Sequence, residues 1–178
     1  MTMIRPFRPW FGLFSLISIS CLCLLAACGG GQDRPLAIGE TAPAFTAQDL
    51  RGQMVSLAAS QGKPVILRFF LPDCKFCRAD TPIFNQYYRD YRDKGLTILY
   101  INTEPKPGEV QKFADDLRIA FPVVLDPTRK IANRYRVRAV PQTVVLDPSH
   151  KVIGVILGGV SKEQLDELLG PFLKQPRA

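Results

Sequence analysis

Histidine is almost missing from this chain of 178 residues, where His150 is the only one. Cysteine is nearly as scarce past the N-terminus: Cys21, Cys23 and Cys28 crowd the first segment, and only Cys74 and Cys77 lie beyond it. Two cysteines and one histidine fall short of the roughly four ligands that a structural zinc site asks for. The same count excludes a small scaffold held together by disulfides. The chain has no internal repeat, and with 47% hydrophobic and 22% charged residues it is neither a disordered segment, a collagen nor a coiled coil. It also lacks basic runs. The net charge of +7 is scattered and interleaved with acids, as in Arg89-Asp90 and Arg92-Asp93, so nothing marks a face for nucleic acid.

The one long apolar run without charge covers residues 10–27, behind Arg5 and Arg8, and ends in Leu25-Ala26-Ala27-Cys28 before three glycines. This order predicts an export signal over 1–27 with a small-residue cleavage site. A membrane-spanning anchor is the alternative, since 18 apolar residues just cross a bilayer. The stretch ending at Cys28 resembles the lipobox of bacterial lipoproteins. That resemblance implies cleavage before Cys28, acylation of its thiol, and a mature protein held on a membrane of the cell envelope. Gly29 after the cysteine favours, on the same resemblance, the outer membrane of a host that has two, with the domain facing the periplasm. Loss of two arginines and no acid leaves a mature charge of +5 and makes Cys74 and Cys77 the only free thiols. In an oxidising compartment that count suits a redox pair better than a structural framework.

Residues 28–36 are Gly-rich and polar and read as a tether. Residues 37–178 read as one domain with a single core. Segments 44–48 and 54–57 flank Asp49-Leu50-Arg51-Gly52, a turn that predicts a β-hairpin. Strands are expected at 65–71, 97–102 and 123–125, and a strand pair at 143–146 and 152–157. Helices are expected at 74–94, with Pro82 as a kink and Gly95 as the stop, and at 110–117, 128–135 and 161–173. Strands alternating with helices until a final strand pair predict an α/β fold with a mixed central sheet, helices on both faces and an N-terminal hairpin.

Asp73-Cys74-Lys75-Phe76-Cys77 falls where a buried strand runs into a helix. Cys74 is thereby placed beside unpaired amides and the positive end of the helix dipole, which favour a thiolate. Cys77, one turn on, shares that face at greater depth, within reach of a disulfide. A merely structural bridge and half of a zinc site are the other readings of the pair. A loop of two intervening residues constrains an unfolded chain very little, which counts against the first.

Gly39-Glu40-Thr41-Ala42-Pro43-Ala44-Phe45, Gly62-Lys63-Pro64-Val65, Cys74-Lys75-Phe76-Cys77-Arg78 with Pro82, and Val140-Pro141-Gln142-Thr143 together resemble the TlpA/ResA-like thioredoxin-fold thiol–disulfide oxidoreductases. The resemblance spans about residues 37–173. It implies a thioredoxin-like three-layer sandwich, Cys74 and Cys77 as the catalytic pair with no cofactor beyond their disulfide, and a cis bond before Pro141. It also implies that the backbone of Val140 pairs with an extended substrate, and that Asp80 stands where relatives carry a glutamate serving the protons of the cysteines. The expected partners are a disulfide-bearing envelope protein, for example an apocytochrome c awaiting maturation, and a thioredoxin-like membrane protein that restores the thiols.

Three charges depart from that pattern or compete within it. Arg68, six residues before Cys74 in a buried strand, must be paired, with Asp80 or Glu104 as candidate partners, and either lowers a cysteine pKa from beneath the disulfide or serves as a structural ion pair. Glu104 reads either as a loop acid or as a second candidate for the same proton. Asp73 opposes thiolate formation and Lys75 opposes Asp73. Two other functions are weighed beside exchange. A peroxidase would share the fold, but Leu71 stands where peroxiredoxins carry threonine. A copper-binding module would use Cys74, Cys77 and His150, although His150 in Asp147-Pro148-Ser149-His150-Lys151 reads more simply as exposed in a turn.

Overall fold

The structure is a computed structural model that describes residues 34–104 and 106–173. The expected signal, Cys28 and most of the tether lie outside these residues. No helix among the described residues is long and apolar enough to cross a membrane.

Among the described residues seven strands and four α-helices follow one another: β1 (Thr46–Gln48), β2 (Met54–Ser56), β3 (Val65–Phe70), α1 (Lys75–Tyr91), β4 (Thr97–Asn102), α2 (Pro107–Asp116), β5 (Val123–Leu125), α3 (Lys130–Arg134), β6 (Gln142–Leu146), β7 (Val152–Leu157) and α4 (Lys162–Leu173). β1 and β2 form the expected antiparallel hairpin. Its turn is held by Asp49, whose carboxylate accepts the amides of Arg51 and Gln53, each at 2.9 Å. The other five strands make one sheet in the order β5-β4-β3-β6-β7. β3, β4 and β5 run parallel, while β6 is antiparallel to both β3 and β7.

All six residues of β3 are buried, because it is the middle strand and both of its faces are covered. Ile66 and Phe70 point into a core shared with Phe84 and Tyr87 of α1, Phe113 of α2 and Leu165 and Leu169 of α4. Val65, Leu67 and Phe69 point into a second core with Ile131 and Ala132 of α3, Tyr135, and Leu36, Ala42 and Phe45 of the N-terminal segment. Helices on both faces of a mixed sheet are thus present as expected.

Several boundaries differ for local reasons. α2 begins at Pro107, ahead of the expected 110, since proline suits the first helical position. α3 is shorter than the expected 128–135 because Arg129 adopts a left-handed backbone, φ 56°, just before it. α1 runs through Pro82 as one helix and gives way to a single 3-10 turn, Arg92–Lys94, closed by Gly95 at φ 96°. The folded unit begins at Pro35 and not at 37: Leu36, assigned to the tether, is buried in the second core, and the Pro35 carbonyl accepts from Arg136 at 3.2 Å.

His150 corrects another expectation. It is buried, not exposed, with φ 61°, and its Nε2 lies 3.5 Å from the Ser60 hydroxyl. The segment before β1 packs over this turn, with the Ala42 amide donating to the His150 carbonyl at 2.9 Å.

Candidate active site

Leu71, Pro72 and Asp73 turn the chain from β3 into α1, and the Cys74 amide donates to the Leu71 carbonyl at 3.2 Å. Cys74 itself is the N-cap of α1. Its φ of −70° and ψ of 111° are those of a capping residue, and its sulfur accepts the Cys77 amide at 3.3 Å, the task usually given to a serine or aspartate oxygen. Both cysteines are free thiols; Cys74 is half-buried and Cys77 wholly buried. Burial, reinforced by the hydrogen bond with Cys74, pushes the Cys77 thiol up to about 12, against a smaller opposing pull from the Leu71 backbone and the Arg68 cation.

The Val140–Pro141 bond is cis, as the resemblance implied. Register explains why this turn meets the cysteines. Phe69 near the end of β3 pairs with Gln142 at the start of β6, so the residue before Gln142 lies at the same end of the sheet as the turn into α1. Pro141 is buried and Val140 half-buried, and among the described residues neither the amide nor the carbonyl of Val140 has a hydrogen-bond partner. The same register puts His150 at the other end of the sheet, since Leu146 pairs with Val65 at the start of β3. β3 advances about 3.3 Å per residue, so roughly 16 Å of strand separates the two ends. Cys74, Cys77 and His150 therefore do not converge, and the copper site that needed all three is not formed.

Arg68 lies on the α1 side of the sheet, in register with Tyr100 of β4 and Thr143 of β6. Its Nη2 forms a hydrogen-bonded ion pair with Asp80 Oδ2, and its Nη1 donates to Thr143 Oγ1 at 2.6 Å and to the Gly158 carbonyl at 3.2 Å. Its guanidinium carbon sits 5.2 Å from the centre of the Phe84 ring. Asp80 also accepts the Val160 amide at 3.1 Å. Burial nonetheless holds the Asp80 carboxyl above its ordinary value, opposed by Arg68 and the Val160 hydrogen bond. Its Oδ1 has no partner among the described residues, which leaves the anion only half solvated.

Glu104 does not meet Arg68. It follows β4 in an open loop, its amide held by Asn102 Oδ1 at 3.1 Å, and its carboxylate lies 3.6 Å from Lys106, while Arg68 is sealed beneath α1. Lys75 is likewise engaged elsewhere, with its ammonium 5.0 Å from the centre of the exposed Phe76 ring. Lys106 stands between two acids, 3.6 Å from Glu104 and 3.6 Å from Glu109, and both raise its pKa. Lys106, Thr143, Gly158 and Val160 were not foreseen. Only Thr143 carried a signal, as a polar residue inside an apolar strand.

A family model described as AhpC/TSA matches residues 38–155. The chain belongs to the AhpC/TSA family. Among its relatives is the thiol-disulfide oxidoreductase ResA of Geobacillus thermodenitrificans, 33% identical over 159 residues, which cover 85% of this chain and 91% of that one. Two solved structures are similar as well. The thioredoxin domain of a thiol-disulfide oxidoreductase from Bacteroides vulgatus is 27% identical with a TM-score of 0.69, covering 78% of this chain and 99% of that one. A thiol:disulfide interchange protein of the thioredoxin family from Chlorobium tepidum is 26% identical with a TM-score of 0.70, covering 77% and 98%. The fold is thioredoxin-like, and the activity class follows: an oxidoreductase that exchanges thiols and disulfides.

Proposed function

We propose that this family member is an exported, membrane-tethered reductant of protein disulfides, with Cys74 as nucleophile and Cys77 as resolving thiol. The observation that carries the assignment is the asymmetry of the pair: Cys74 is partly open at a helix start, and Cys77 is buried with a thiol raised to about 12. The Cys74 thiolate attacks one sulfur of a substrate disulfide. A bond forms between them, the substrate's own sulfur–sulfur bond breaks, and the second substrate sulfur leaves as a thiolate that takes up a proton. Cys77 then gives up its proton and attacks Cys74, which releases the first substrate sulfur as a thiolate and closes the Cys74–Cys77 disulfide. Two electrons pass from the protein to the substrate.

We assign to Asp80, one turn after Cys77 on α1, the proton that Cys77 must lose. Val140 supplies its unpaired backbone groups to an extended substrate segment beside Pro141. No cofactor enters the cycle, and a thioredoxin-like membrane protein returns the pair to the dithiol. Acylation of Cys28 holds the domain at the envelope membrane, where an apocytochrome c is a fitting substrate.

Trapping tests the assignment. In cells, Cys77→Ala should accumulate covalent adducts through Cys74 that a reductant dissolves, and Cys74→Ala should not. Adducts on Cys74→Ala alone would invert the roles, and none on either variant would remove the reading.

A further inference from the structure

The Arg68–Asp80 pair is costly to bury, and apolar side chains of similar volume hold such places at least as well, so stability alone does not account for it. What the guanidinium does that an apolar residue cannot is join segments far apart in the chain. Nη2 reaches α1 at Asp80, while Nη1 reaches β6 at Thr143 and the turn after β7 at Gly158.

The turn after β7 is pinned at three points. The Gly158 carbonyl accepts from Arg68 at 3.2 Å, the Gly158 amide donates to the Pro141 carbonyl at 2.8 Å, and the Val160 amide donates to Asp80 at 3.1 Å. Gly158 is thus gripped on both sides of its backbone, in a conformation with φ 95° that suits glycine. One buried guanidinium is thus connected to the cysteine helix directly at Asp80 and, through Gly158, to the carbonyl of the proline next to Val140.

We propose that Arg68 is a positioning residue for the polypeptide substrate: by holding Gly158, and through it Pro141, it fixes where the Val140 backbone stands relative to Cys74. This rests on the reading of Val140 as the substrate's pairing partner. Arg68 bonds to neither cysteine, and a cation kept against Asp80 leaves the proton path as it is, so the effect of the arm that reaches Thr143 and Gly158 falls on substrates that lie along Val140 and not on those that meet the sulfur alone.

Two probes with the same leaving group separate these cases. One is the symmetric disulfide of thionitrobenzoate, which presents only a disulfide. The other is an unstructured peptide whose single cysteine is joined to thionitrobenzoate. Both release the same chromophore from the reduced, full-length protein. Arg68→Lys keeps a cation against Asp80 but lacks the second arm of the fork that reaches Thr143 and Gly158. We expect it to react with the symmetric disulfide within about twofold of wild type, and with the peptide at least about tenfold more slowly. Equal slowing with both probes, or slowing with neither, overturns the proposal. If Arg68→Lys does not fold, Thr143→Val carries the same test: it changes no charge and removes one anchor of Nη1, with an expected loss of about threefold on the peptide alone. A wild-type protein inert to both probes would instead show that the exchange reading has failed, before Arg68 is in question.

Discussion

The Cys77 backbone amide donates to the sulfur of Cys74 across 3.3 Å, so the residue assigned to attack that sulfur already holds it through the main chain. The helix start orders the two cysteines before any bond forms between them. It also makes them unequal, since one sulfur caps the helix at its rim while the other lies beneath the first turn.

That inequality sets alkylation rates. Burial is the largest of the causes that raise the Cys77 thiol and it persists when Cys74 is replaced, so Cys77 keeps only a small thiolate fraction at pH 7. Iodoacetamide at neutral pH should therefore label the Cys77→Ala variant, which retains Cys74, at least about a hundredfold faster than Cys74→Ala. Faster labelling of Cys77 would reverse the assigned roles.

Asp80 gives a pH dependence whose sign can be worked out. A carboxyl held above its ordinary value of 3.8 binds its proton more tightly in the folded chain. Its contribution to stability is whole below that value and is lost as pH rises through the folded one. Asp80→Asn exchanges no proton, so the stability of wild type relative to this variant should be highest near pH 3 and decline toward neutrality. The decline is worth about 1.4 kcal/mol for each pH unit by which the folded value exceeds the ordinary one. Denaturant midpoints of both proteins across this range measure it. A difference that grows with pH would mean that Arg68 outweighs burial at this carboxyl.

Cys28 gives a prediction outside the described residues. Mass spectrometry of the mature N-terminus should find a lipid-modified cysteine at 28, and Cys28→Ser should move the protein from the membrane to the soluble fraction. Each buried methylene contributes about 0.8 kcal/mol, so several acyl chains hold where one would exchange. An intact Met1, or an unmodified cut elsewhere, would overturn the claim.

The sheet was readable because β3 and β4 are short apolar runs between turn residues, and the cysteine pair because two thiols at helical spacing follow such a run. That Arg68 pairs with an acid was readable too, since a cation inside a buried strand must find one, but the choice between Asp80 and Glu104 was left open until α1 was seen to cover it. The other charges were not. Glu104 and Lys75 lie beyond the ends of strands or on a solvent face, where spacing says nothing of direction, and each found a nearer partner in Lys106 or Phe76. His150 was misread because a turn sequence does not reveal what packs over it, here the segment around Ala42. Gly158 was missed because its part lies wholly in its backbone.

The pairing of β3 with β6 also bears on how the site comes into being. Their partnered residues stand 73 to 81 positions apart in the chain. Closing a loop of that length comes late and slowly compared with winding α1, which needs only its own neighbours. The cysteines are therefore synthesised, and can be helical, while the turn at Pro141 is still far from them. Until β6 docks, the two thiols form an unguarded dithiol, open to any sulfur in the crowd around a nascent chain. A chain cut short before Gln142 would keep both thiols and lose the strand that carries the other wall of the site, so the stretch from Gln142 onward is what turns a reactive pair into a selective one.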